Sequence, residues 1–359
     1  MNNQNGVILM DEKVKVFIES QIHAGVFPGA VVYVKKDNTV LLHEAYGKAL
    51  NTKDDKRDMN KDTLFDIASL TKVVITTIIL KLISENKFSL HSTVAELLPA
   101  VTDESIGTIS LQQLLTHSSG LLDWYPFYSS SEDFYNQLVK IVSTNEKTEG
   151  VRYSDLNYML LAEIVKESTK RSLQEALNQY IRIPLNAKTM SYGPVVSNNV
   201  AATEFGNRIE QNMCKERNVS FSGWRDINLP ICGQVNDGNA YYYFKGVSGH
   251  AGLFADAEDL SKIGEVYTNL GKLDGKEYIS QSIVEQAIAK QIGTRGLGWE
   301  LSDIYPTGCG HTGFTGTSLW IDPVRRLTVV VLTNRLHTDS PQNINAFRRK
   351  LHEMIDAAV

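Results

Sequence analysis

The sequence predicts a two-lobed α/β (α+β) fold, in which an antiparallel sheet built from both ends of the chain is flanked by helices. Segments with a β pattern occur near both termini, and helical periodicity dominates the middle. A chain of 359 residues fits one large domain or two fused lobes. A sheet made from both termini, with helices inserted between its strands, lets each element bury its apolar face. We therefore predict an α/β lobe from residues 1–66 and 190–359 and a mostly helical lobe from residues 67–189.

The first elements are a helix and a hairpin. Residues 11–24 repeat apolar side chains at helical spacing. Residues 29–34 and 40–46 are β-patterned and flank a polar segment, which predicts a β-hairpin. Residues 48–62 are polar and irregular, so we expect a connection there. A long apolar helix is predicted from Ser69 to about Asn86.

The middle of the chain is predicted to be helical and its end to return to β-structure. Helical patterns cover residues 93–98, 110–116, 131–143, 156–168 and 172–181, with Pro184 as a stop. Residues 190–244 are rich in Asn, Gly and aromatic residues, and we interpret them as a long ordered excursion over a cleft. Later patterns predict helices at 256–270, 280–290 and 343–357, and strands at 296–301, 313–321 and 327–332.

Composition argues against several classes of protein. With 42% hydrophobic and 21% charged residues, the chain can bury a large core and has no signature of disorder. A net charge of −5 gives no basic surface for nucleic acid. Three cysteines are too few for a disulfide framework, and neither they nor the eight histidines have metal-ligand spacing. We therefore predict no metal site.

The N-terminal residues lack both the basic and the apolar segment of a signal peptide, which predicts an unexported, cytoplasmic chain. A chain whose leader had been removed would look the same and would act outside the cytoplasm. No segment approaches the roughly 20 apolar residues of a membrane span. The expected partner is a small-molecule or peptide substrate, and the oligomeric state stays open.

Ser69 and Lys72 stand three residues apart at the start of the long apolar helix. Residues at i and i+3 share a helix face, so the hydroxyl and the amine would lie side by side. A serine hydroxyl needs a base to become a nucleophile. A lysine buried in an apolar wall can lose its own proton and serve as that base. The alternative is a helix cap at Ser69 with an ordinary solvated Lys72.

Two further segments offer groups that such a site needs. Tyr153 precedes a predicted helix, and a tyrosine there can relay a proton if cations lower its pKa. The alternative is a buried tyrosine with Asp155 as the helix N-cap. His311, Thr312 and Gly313 open a predicted edge-like strand, where glycine lets a substrate backbone approach closely. A backbone amide after them could pair with that of Ser69 to hold an oxyanion. A glycine-rich strand entry without a catalytic role is the alternative.

Ser-x-x-Lys, Tyr-x-Asp and His-Thr-Gly in this order are more specific together than any one of them. With them the chain resembles the serine β-lactamase and penicillin-binding-protein superfamily, whose signature is S-x-x-K, S-D-N and K-T-G. It looks most like the class C-like branch: class C β-lactamases, D-alanyl-D-alanine carboxypeptidases, D-aminopeptidases and related carboxylesterases. That branch typically uses Tyr-x-Asn and accepts His-Thr-Gly. Segments 114–121, 153–161 and 249–254 also look like this family, and the resemblance spans about residues 12–356.

The resemblance implies the β-lactamase/transpeptidase-like fold and a role for each motif residue. Ser69 would be the acylated nucleophile, Lys72 its proton acceptor and Tyr153 the general acid/base for the leaving group. The amides of Ser69 and Phe314 would form the oxyanion hole, and His311, Thr312 and Gly313 would line the substrate strand. No cofactor is implied.

Two departures from the branch concern specificity. Asp155 stands where the branch has Asn, which replaces an amide donor by a carboxylate and suits a different, or an amine-bearing, acyl side chain. His311 stands for the more familiar Lys, which weakens the fixed positive charge that would meet a substrate carboxylate. Both changes count against an efficient β-lactamase.

The predicted activity is that of a serine hydrolase acting on an amide or ester, such as a D-amino-acid peptide, a β-lactam or a small ester. The alternatives are a carboxylesterase of the same fold and a penicillin-binding sensor or scaffold with slow turnover. His117 and His250 are interpreted as structural residues. Residues 236–243 either roof the pocket or form a surface loop.

Overall fold

A computed structural model describes residues 2–145 and 148–359, and it contains a six-stranded antiparallel sheet. The strand order is β3-β2-β1-β11-β10-β9, so the N-terminal and C-terminal strands meet where β1 pairs with β11. The strands of this sheet are β1 (Gly29–Lys36), β2 (Thr39–Asn51), β3 (Lys56–Asp58), β9 (Cys309–Thr312), β10 (Ser318–Asp322) and β11 (Leu327–Thr333). The predicted fold class, with a sheet built from both termini, is confirmed.

Both faces of the sheet are buried, because alternate residues of its strands point to opposite sides. In β1, Val32 and Val34 belong to the core that contains α1 (Asn2–His23) and α13 (Asn345–Asp356). Val31 and Tyr33 belong to the larger core on the other face. That core also holds apolar side chains of the other helices, except the one at Arg208–Glu216, whose Cys214 belongs to a separate cluster.

Helix α2 (Leu70–Ser84) is the most deeply buried helix of the described chain, with 13 of its 15 residues buried. The other helices are α3 (Val94–Leu97), α4 (Glu104–Gly107), α5 (Leu111–Leu115), α6 (Phe134–Thr144), α7 (Asp155–Thr169), α8 (Leu173–Leu177), α9 (Ile183–Leu185), α10 (Arg208–Glu216), α11 (Ala257–Thr268) and α12 (Gln281–Ile288). None of the described helices is long and apolar enough to cross a membrane.

Two smaller sheets complete the strands. β4 (Phe65–Asp66), β5 (Ser191–Tyr192) and β6 (Leu253–Ala255) form one, and β7 (Lys272–Leu273) and β8 (Lys276–Glu277) form the other. In the first sheet β6 lies between β4 and β5, with Asp66 opposite Phe254. This pairing brings the segment before α2 next to the segment around His250.

Several predicted elements were wrong. The segment 48–62 is not only a connection, because β2 continues to Asn51 and β3 follows it. The predicted strand 296–301 makes only isolated bridges, and it passes so close to α2 that a Cβ on Gly298 would lie 2.2 Å from Thr76 Oγ1. The predicted strand 313–321 is interrupted by a turn that ends at Gly316, whose φ is +114°. The 190–244 segment, predicted as an ordered excursion over a cleft, contains α10, and several of its residues, from Glu204 to Asp237, line a cleft. The proposed lobe boundaries at 66/67 and 189/190 stay a prediction.

Candidate active site

Ser69 and Lys72 lie side by side at the start of α2. Lys72 Nζ donates a hydrogen bond of 2.9 Å to Ser69 Oγ. The Ser69 side chain makes no capping hydrogen bond to the helix, and the Lys72 side chain is completely buried. Ser69 itself is half-buried and lines a cleft. The alternative of a helix cap with a solvated lysine is therefore wrong.

The turn before Ser69 is held in an unusual conformation by a buried carboxylate. Ala68 has a φ of +47°, which is uncommon for a residue with a Cβ and costs energy unless its surroundings hold it. Asp66 Oδ1 accepts the Ala68 amide at 2.9 Å, and Asp66 Oδ2 accepts the Asn236 amide at 2.7 Å. Burial raises the pKa of Asp66 to about 6. These bonds fix the direction in which the nucleophile faces the cleft.

The charge state of Lys72 differs from the sequence expectation. Burial alone would lower the pKa of Lys72, but the charge interactions with Asp155 and Tyr153 outweigh it and raise the pKa above its usual value. Asp155 Oδ1 lies 2.7 Å from Lys72 Nζ, and the His250 carbonyl oxygen accepts a further hydrogen bond of 3.1 Å. Lys72 is therefore an ammonium in the resting site. Burial does not deprotonate this lysine, because the carboxylate of Asp155 balances its charge.

Tyr153 lies against the two cations of this site. Its ring is 4.9 Å from Lys72 Nζ and 5.2 Å from the Arg295 guanidinium carbon. Asp155 is the first residue of α7 and pairs with Lys72, so it is not the N-cap, which is Ser154. The alternative of a buried tyrosine beside a capping aspartate is wrong, because Tyr153 is half-buried and lines the cleft.

The His-Thr-Gly segment forms one wall of the cleft. His311 and Thr312 are the last residues of β9, an edge strand of the large sheet, whereas the sequence predicted that they open a strand. Gly313 is required by close packing, since a Cβ there would lie 2.7 Å from the Ile67 carbonyl oxygen. Phe314 is exposed, and neither its amide nor that of Ser69 donates a hydrogen bond to any described residue. Both N–H groups are therefore free to donate a hydrogen bond to a substrate oxygen.

His311 has a different charge from the one expected. It is 3% exposed, and its Nδ1 lies 2.9 Å from the Thr312 carbonyl oxygen. Burial, together with the positive charges of Arg295 and Lys72, holds the pKa of His311 well below its usual value. The imidazole is therefore neutral near pH 7 and supplies no positive charge for a substrate carboxylate, whereas the sequence predicted only that a histidine here would weaken this charge.

All eight predicted site residues are brought together around one cleft of about 730 Å³, and every one except the buried Lys72 lines it. Arg295 and Arg335, which the sequence offers only as alternatives to His311 for binding a carboxylate, both line this cleft. From the sequence, His250 is interpreted as structural and residues 236–243 stay undecided, whereas Asn236, Asp237 and His250 line the cleft. Asp237 and His250 lie 74 and 61 positions before His311, so no local pattern joins them to the three motifs.

Comparisons with known proteins agree with this geometry. A family model described as Beta-lactamase matches residues 14–353. The chain belongs to the β-lactamase family. One relative of this family member is a Bacillus subtilis (strain 168) protein named N-acetylmuramyl-L-alanine amidase, 31% identical over 93% of this chain and 84% of its own length. Another, from Escherichia coli (strain K12), carries the provisional name D-alanyl-D-alanine carboxypeptidase and is 30% identical over 92% of this chain and 84% of its own length.

The solved structures support the fold of this β-lactamase family member. A class C β-lactamase from Rhodobacter sphaeroides superposes with a TM-score of 0.70, at 20% identity, over 96% of this chain and 98% of its own. Family membership and these relatives establish a hydrolase of the serine β-lactamase and penicillin-binding-protein type.

Three groups in this β-lactamase-family site have the chemistry of metal ligands. Side-chain ligand atoms of Asp155, Asp237 and His250 all lie within 4.8 Å of one another. Each already has a partner: Asp155 pairs with Lys72, and His250 Nε2 lies 2.9 Å from Asp237 Oδ1. A metal would have to displace the ammonium and the histidine proton, so the cluster fits an ion-pair network better than a metal centre.

His117 holds the backbone on both sides of Tyr153. Its carbonyl oxygen accepts the Arg152 amide at 2.8 Å, and its Nδ1 accepts the Ser154 amide at 3.0 Å. Its ring lies 4.4 Å from the Tyr153 ring, between centroids. His117 also has a φ of +56°. The sequence interpretation of a structural histidine holds, but its contacts place it behind the tyrosine of the site.

We expect His117→Ala to lower kcat by roughly 100-fold, because small misplacements of a catalytic group cost about this much. His117→Asn should recover part of the loss, since Asn tolerates positive φ and its Oδ1 can accept the Ser154 amide. The measurement is kcat and KM for a p-nitrophenyl ester, with thermal unfolding as the control for folding. Equal activities of the two variants, in chains of equal stability, would contradict this role.

Proposed function

We propose that this chain is a serine amidase that forms an acyl-enzyme on Ser69 and hydrolyses it. The observation that carries the proposal is the 2.9 Å hydrogen bond between Lys72 Nζ and Ser69 Oγ, at the floor of a cleft that also holds Tyr153. A buried charged lysine bound to an unused serine costs desolvation energy and gives little stability in return. An arrangement of this kind is typical of an activated nucleophile.

The ion pair with Asp155 defines the starting state of the mechanism. As an ammonium, Lys72 orients Ser69 Oγ and becomes a proton acceptor only after one of its protons has moved to Asp155, 2.7 Å away. Ser69 Oγ then gives its proton to Lys72 and attacks the substrate carbonyl carbon. The amides of Ser69 and Phe314 hold the oxyanion, and each such donor contributes about 2.7–4 kcal/mol to catalysis in known cases.

Tyr153 serves the second half of the reaction in this proposal. It donates a proton to the leaving amine as the acyl–nitrogen bond breaks, which leaves an ester on Ser69. It then removes a proton from a water molecule, which attacks the ester carbonyl carbon. The acid is released as the bond to Ser69 Oγ breaks; Ser69 Oγ takes a proton back from Lys72, and Lys72 regains one from Asp155. The two cations on the Tyr153 ring, Lys72 and Arg295, stabilise the negative charge that the phenol oxygen carries between its two proton transfers.

The proposed substrate is an amide whose leaving group is an amino acid. Both relatives carry names of enzymes that cleave amides of alanine. The cleft, at about 730 Å³, is large enough for a peptide-sized ligand. A cytoplasmic site of action stays a prediction from the N-terminal sequence.

Arg295 is the residue that we expect to bind the carboxylate of such a leaving group. It lines the cleft, and Glu300 Oε1 is 3.8 Å from its Nη2, too far for a hydrogen bond, which leaves the guanidinium available. Arg335 also lines the cleft, but it donates hydrogen bonds to the carbonyl oxygens of Phe314 and Gln342. His311 cannot supply the charge, because it is neutral.

The prediction is a preference for esters that bear a carboxylate beside the scissile bond, and this preference should not change between about pH 5.5 and 8.5. Arginine stays charged through this range, and the lowered pKa of His311 keeps that imidazole neutral. Arg295→Gln should reduce the preference by roughly 10- to 100-fold, the size of a lost charge-assisted hydrogen bond. The measurement is the ratio of kcat/KM for a matched ester pair with and without the carboxylate.

Arg335→Gln is the matched control and should leave most of the preference intact. A wild-type preference that rises as the pH falls through about 6.5 would show that His311 carries the charge after all. A preference lost in Arg335→Gln but kept in Arg295→Gln would assign the carboxylate to Arg335.

The proposed function is tested by incubating the protein with four probes: a fluorescent penicillin, a p-nitrophenyl ester, D-alanyl-D-alanine and N-acetylmuramyl-L-alanine. We expect turnover of at least one of the two amides and of the ester. Labelling by penicillin without turnover of any probe would support the slow sensor instead. Ester turnover without amide turnover would support the carboxylesterase.

A further inference from the structure

Two carboxylates beside the nucleophile each have an oxygen without a partner. Asp155 uses Oδ1 for Lys72, and Asp237 uses Oδ1 for the Ala240 amide and for His250. Their Oδ2 atoms accept no hydrogen bond from the described residues. The side chains are 18% and 24% exposed, and both line the cleft next to Ser69. A ligand in the cleft therefore meets two carboxylate oxygens that still lack a donor.

A third acceptor of the same wall also lacks a donor. Asn236 is 4% exposed and lines the cleft, and its Oδ1 has no hydrogen-bond partner in the described chain. The orientation of its amide is fixed, because Nδ2 donates to Glu204 Oε1 at 3.0 Å. Buried polar atoms without partners are rare in folded proteins, and one beside a ligand cleft points to a ligand donor.

The charges around this wall favour a cation. Lys72 donates one of its hydrogen bonds to Ser69. Asp155 and Asp237 carry two negative charges, and ligand atoms of the two carboxylates lie within 4.8 Å of each other. Glu204 and Glu210 line the cleft behind Asp237. Burial and the charges of Asp237 and Glu204 together raise the pKa of Glu210 to about 8, so this carboxyl is largely neutral near pH 7. The negative charges that a ligand meets here are those of Asp155 and Asp237, against the one positive charge of Lys72.

We propose that Asp155 and Asp237 bind a primary ammonium group on the acyl part of the substrate. The preferred substrates are then amides in which the acyl part is an amino acid with a free amine. A dipeptide with an unblocked N-terminus is the simplest of them. An ammonium has three donors, which matches the two Oδ2 atoms and Asn236 Oδ1. The inference rests on the proposed function, because it defines the acyl side of the bond that Ser69 attacks.

An ammonium fits better than the other possible occupants. A divalent metal would compete with the Lys72 ammonium and the His250 proton for the same Oδ1 atoms. A hydroxyl would satisfy acceptors but would leave the excess negative charge unbalanced. The ammonium needs only the free oxygens, so that the existing bonds of Asp155, Asp237 and His250 stay intact.

The test compares alanine p-nitroanilide with lactic acid p-nitroanilide, in which a hydroxyl replaces the ammonium, and with N-acetylalanine p-nitroanilide. Both enantiomers of each are used. We expect kcat/KM to be roughly 10- to 100-fold higher for the free amine in at least one enantiomer, the range for hydrogen bonds to a charged group. Equal rates for the amine and the hydroxyl substrate would overturn the proposal.

The variant Asp237→Asn should reduce this ratio, and so should Asp155→Asn. Asp58→Asn is the matched control, because Asp58 is an exposed carboxylate on β3 that pairs with Lys48, and it should keep the ratio. A ratio that stays unchanged in both cleft variants would overturn the proposal. If one cleft variant fails to fold, the other and the wild-type substrate series still decide the question.

Binding to Ser69→Ala separates this proposal from the proposed function. Alaninamide and lactamide are titrated into that variant and followed by calorimetry, which needs no turnover. Tighter binding of alaninamide supports the ammonium site even if Ser69 proves not to be the nucleophile. Equal or absent binding of both, in a chain whose wild-type form hydrolyses esters at Ser69, would overturn the ammonium site alone.

Discussion

Ser69→Ala is expected to lower ester and amide hydrolysis by on the order of 10⁴- to 10⁶-fold, the loss found when an activated nucleophile is removed. The reason is that Ser69 Oγ accepts a hydrogen bond from the Lys72 ammonium and that Ser69 lines the cleft. The measurement is kcat/KM for a p-nitrophenyl ester, together with covalent labelling by a fluorescent penicillin.

The folded state should survive this change. The substitution removes one hydrogen bond, which contributes about 1.5–3 kcal/mol when a charged group takes part. Thermal unfolding should therefore shift by no more than several degrees. A variant that is folded and still labels at a rate similar to that of the wild type would show that Ser69 is not the nucleophile.

Lys72→Ala and Tyr153→Phe should each remove most of the activity, and the double variant should be little worse than the poorer single one. Both side chains work with Ser69 as one catalytic unit: Lys72 activates its hydroxyl, and Tyr153 protonates the leaving group and activates the water that frees Ser69, so the loss of either disables the unit. The measurement is kcat/KM for the two single variants, the double variant and the wild type, analysed as a double-mutant cycle.

The stability of the same variants serves as the control for this cycle. Lys72→Ala leaves Asp155 without its ion-pair partner, and such a loss destabilises buried pairs by about 3–5 kcal/mol. Rates are therefore compared at a temperature where all four chains are folded. Losses that multiply in the double variant would mean that Lys72 and Tyr153 act in independent steps.

Much of the fold follows from local patterns in the sequence. Two elements were predicted in this way: the hairpin of β1 and β2, and the helix after Ser69. The short β-patterned segments of the hairpin indicate strands, and the long apolar run after Ser69 indicates a helix. The segment 296–301 failed this test: its residues are apolar like those of a strand, but Gly298 is placed by its contact with α2 and not by pairing with a neighbouring strand.

The identities of the site residues were predictable, but their charges were not. Ser69, Lys72 and Tyr153 were found from spacing and order. The pKa of Lys72 depends on Asp155, which is 83 positions away in sequence and 2.7 Å away in space. The pKa of His311 depends on burial and on Arg295. Long-range contacts of this kind leave no trace in local sequence periodicity.

Asp155 is a second residue whose identity was informative in the sequence but whose contacts were not predictable from it. The sequence predicted that a carboxylate in place of an amide would change the acyl group that fits. It could not show that this carboxylate pairs with Lys72, nor that ligand atoms of Asp155 and Asp237 lie within 4.8 Å of each other. The pairing of β4 with β6 places residue 250 next to the start of α2, and His250 Nε2 lies 2.9 Å from Asp237 Oδ1.

The central claim is that catalysis passes through an ester on Ser69, and trapping that ester tests it most directly. The protein is mixed with a p-nitrophenyl ester or a penicillin, quenched in acid during turnover, digested and analysed by mass spectrometry. We expect one modified peptide, containing Ser69, with the mass of the acyl group added to that residue. An acyl group found on a different residue, or full turnover with no acylated peptide at any quench time, would contradict the claim.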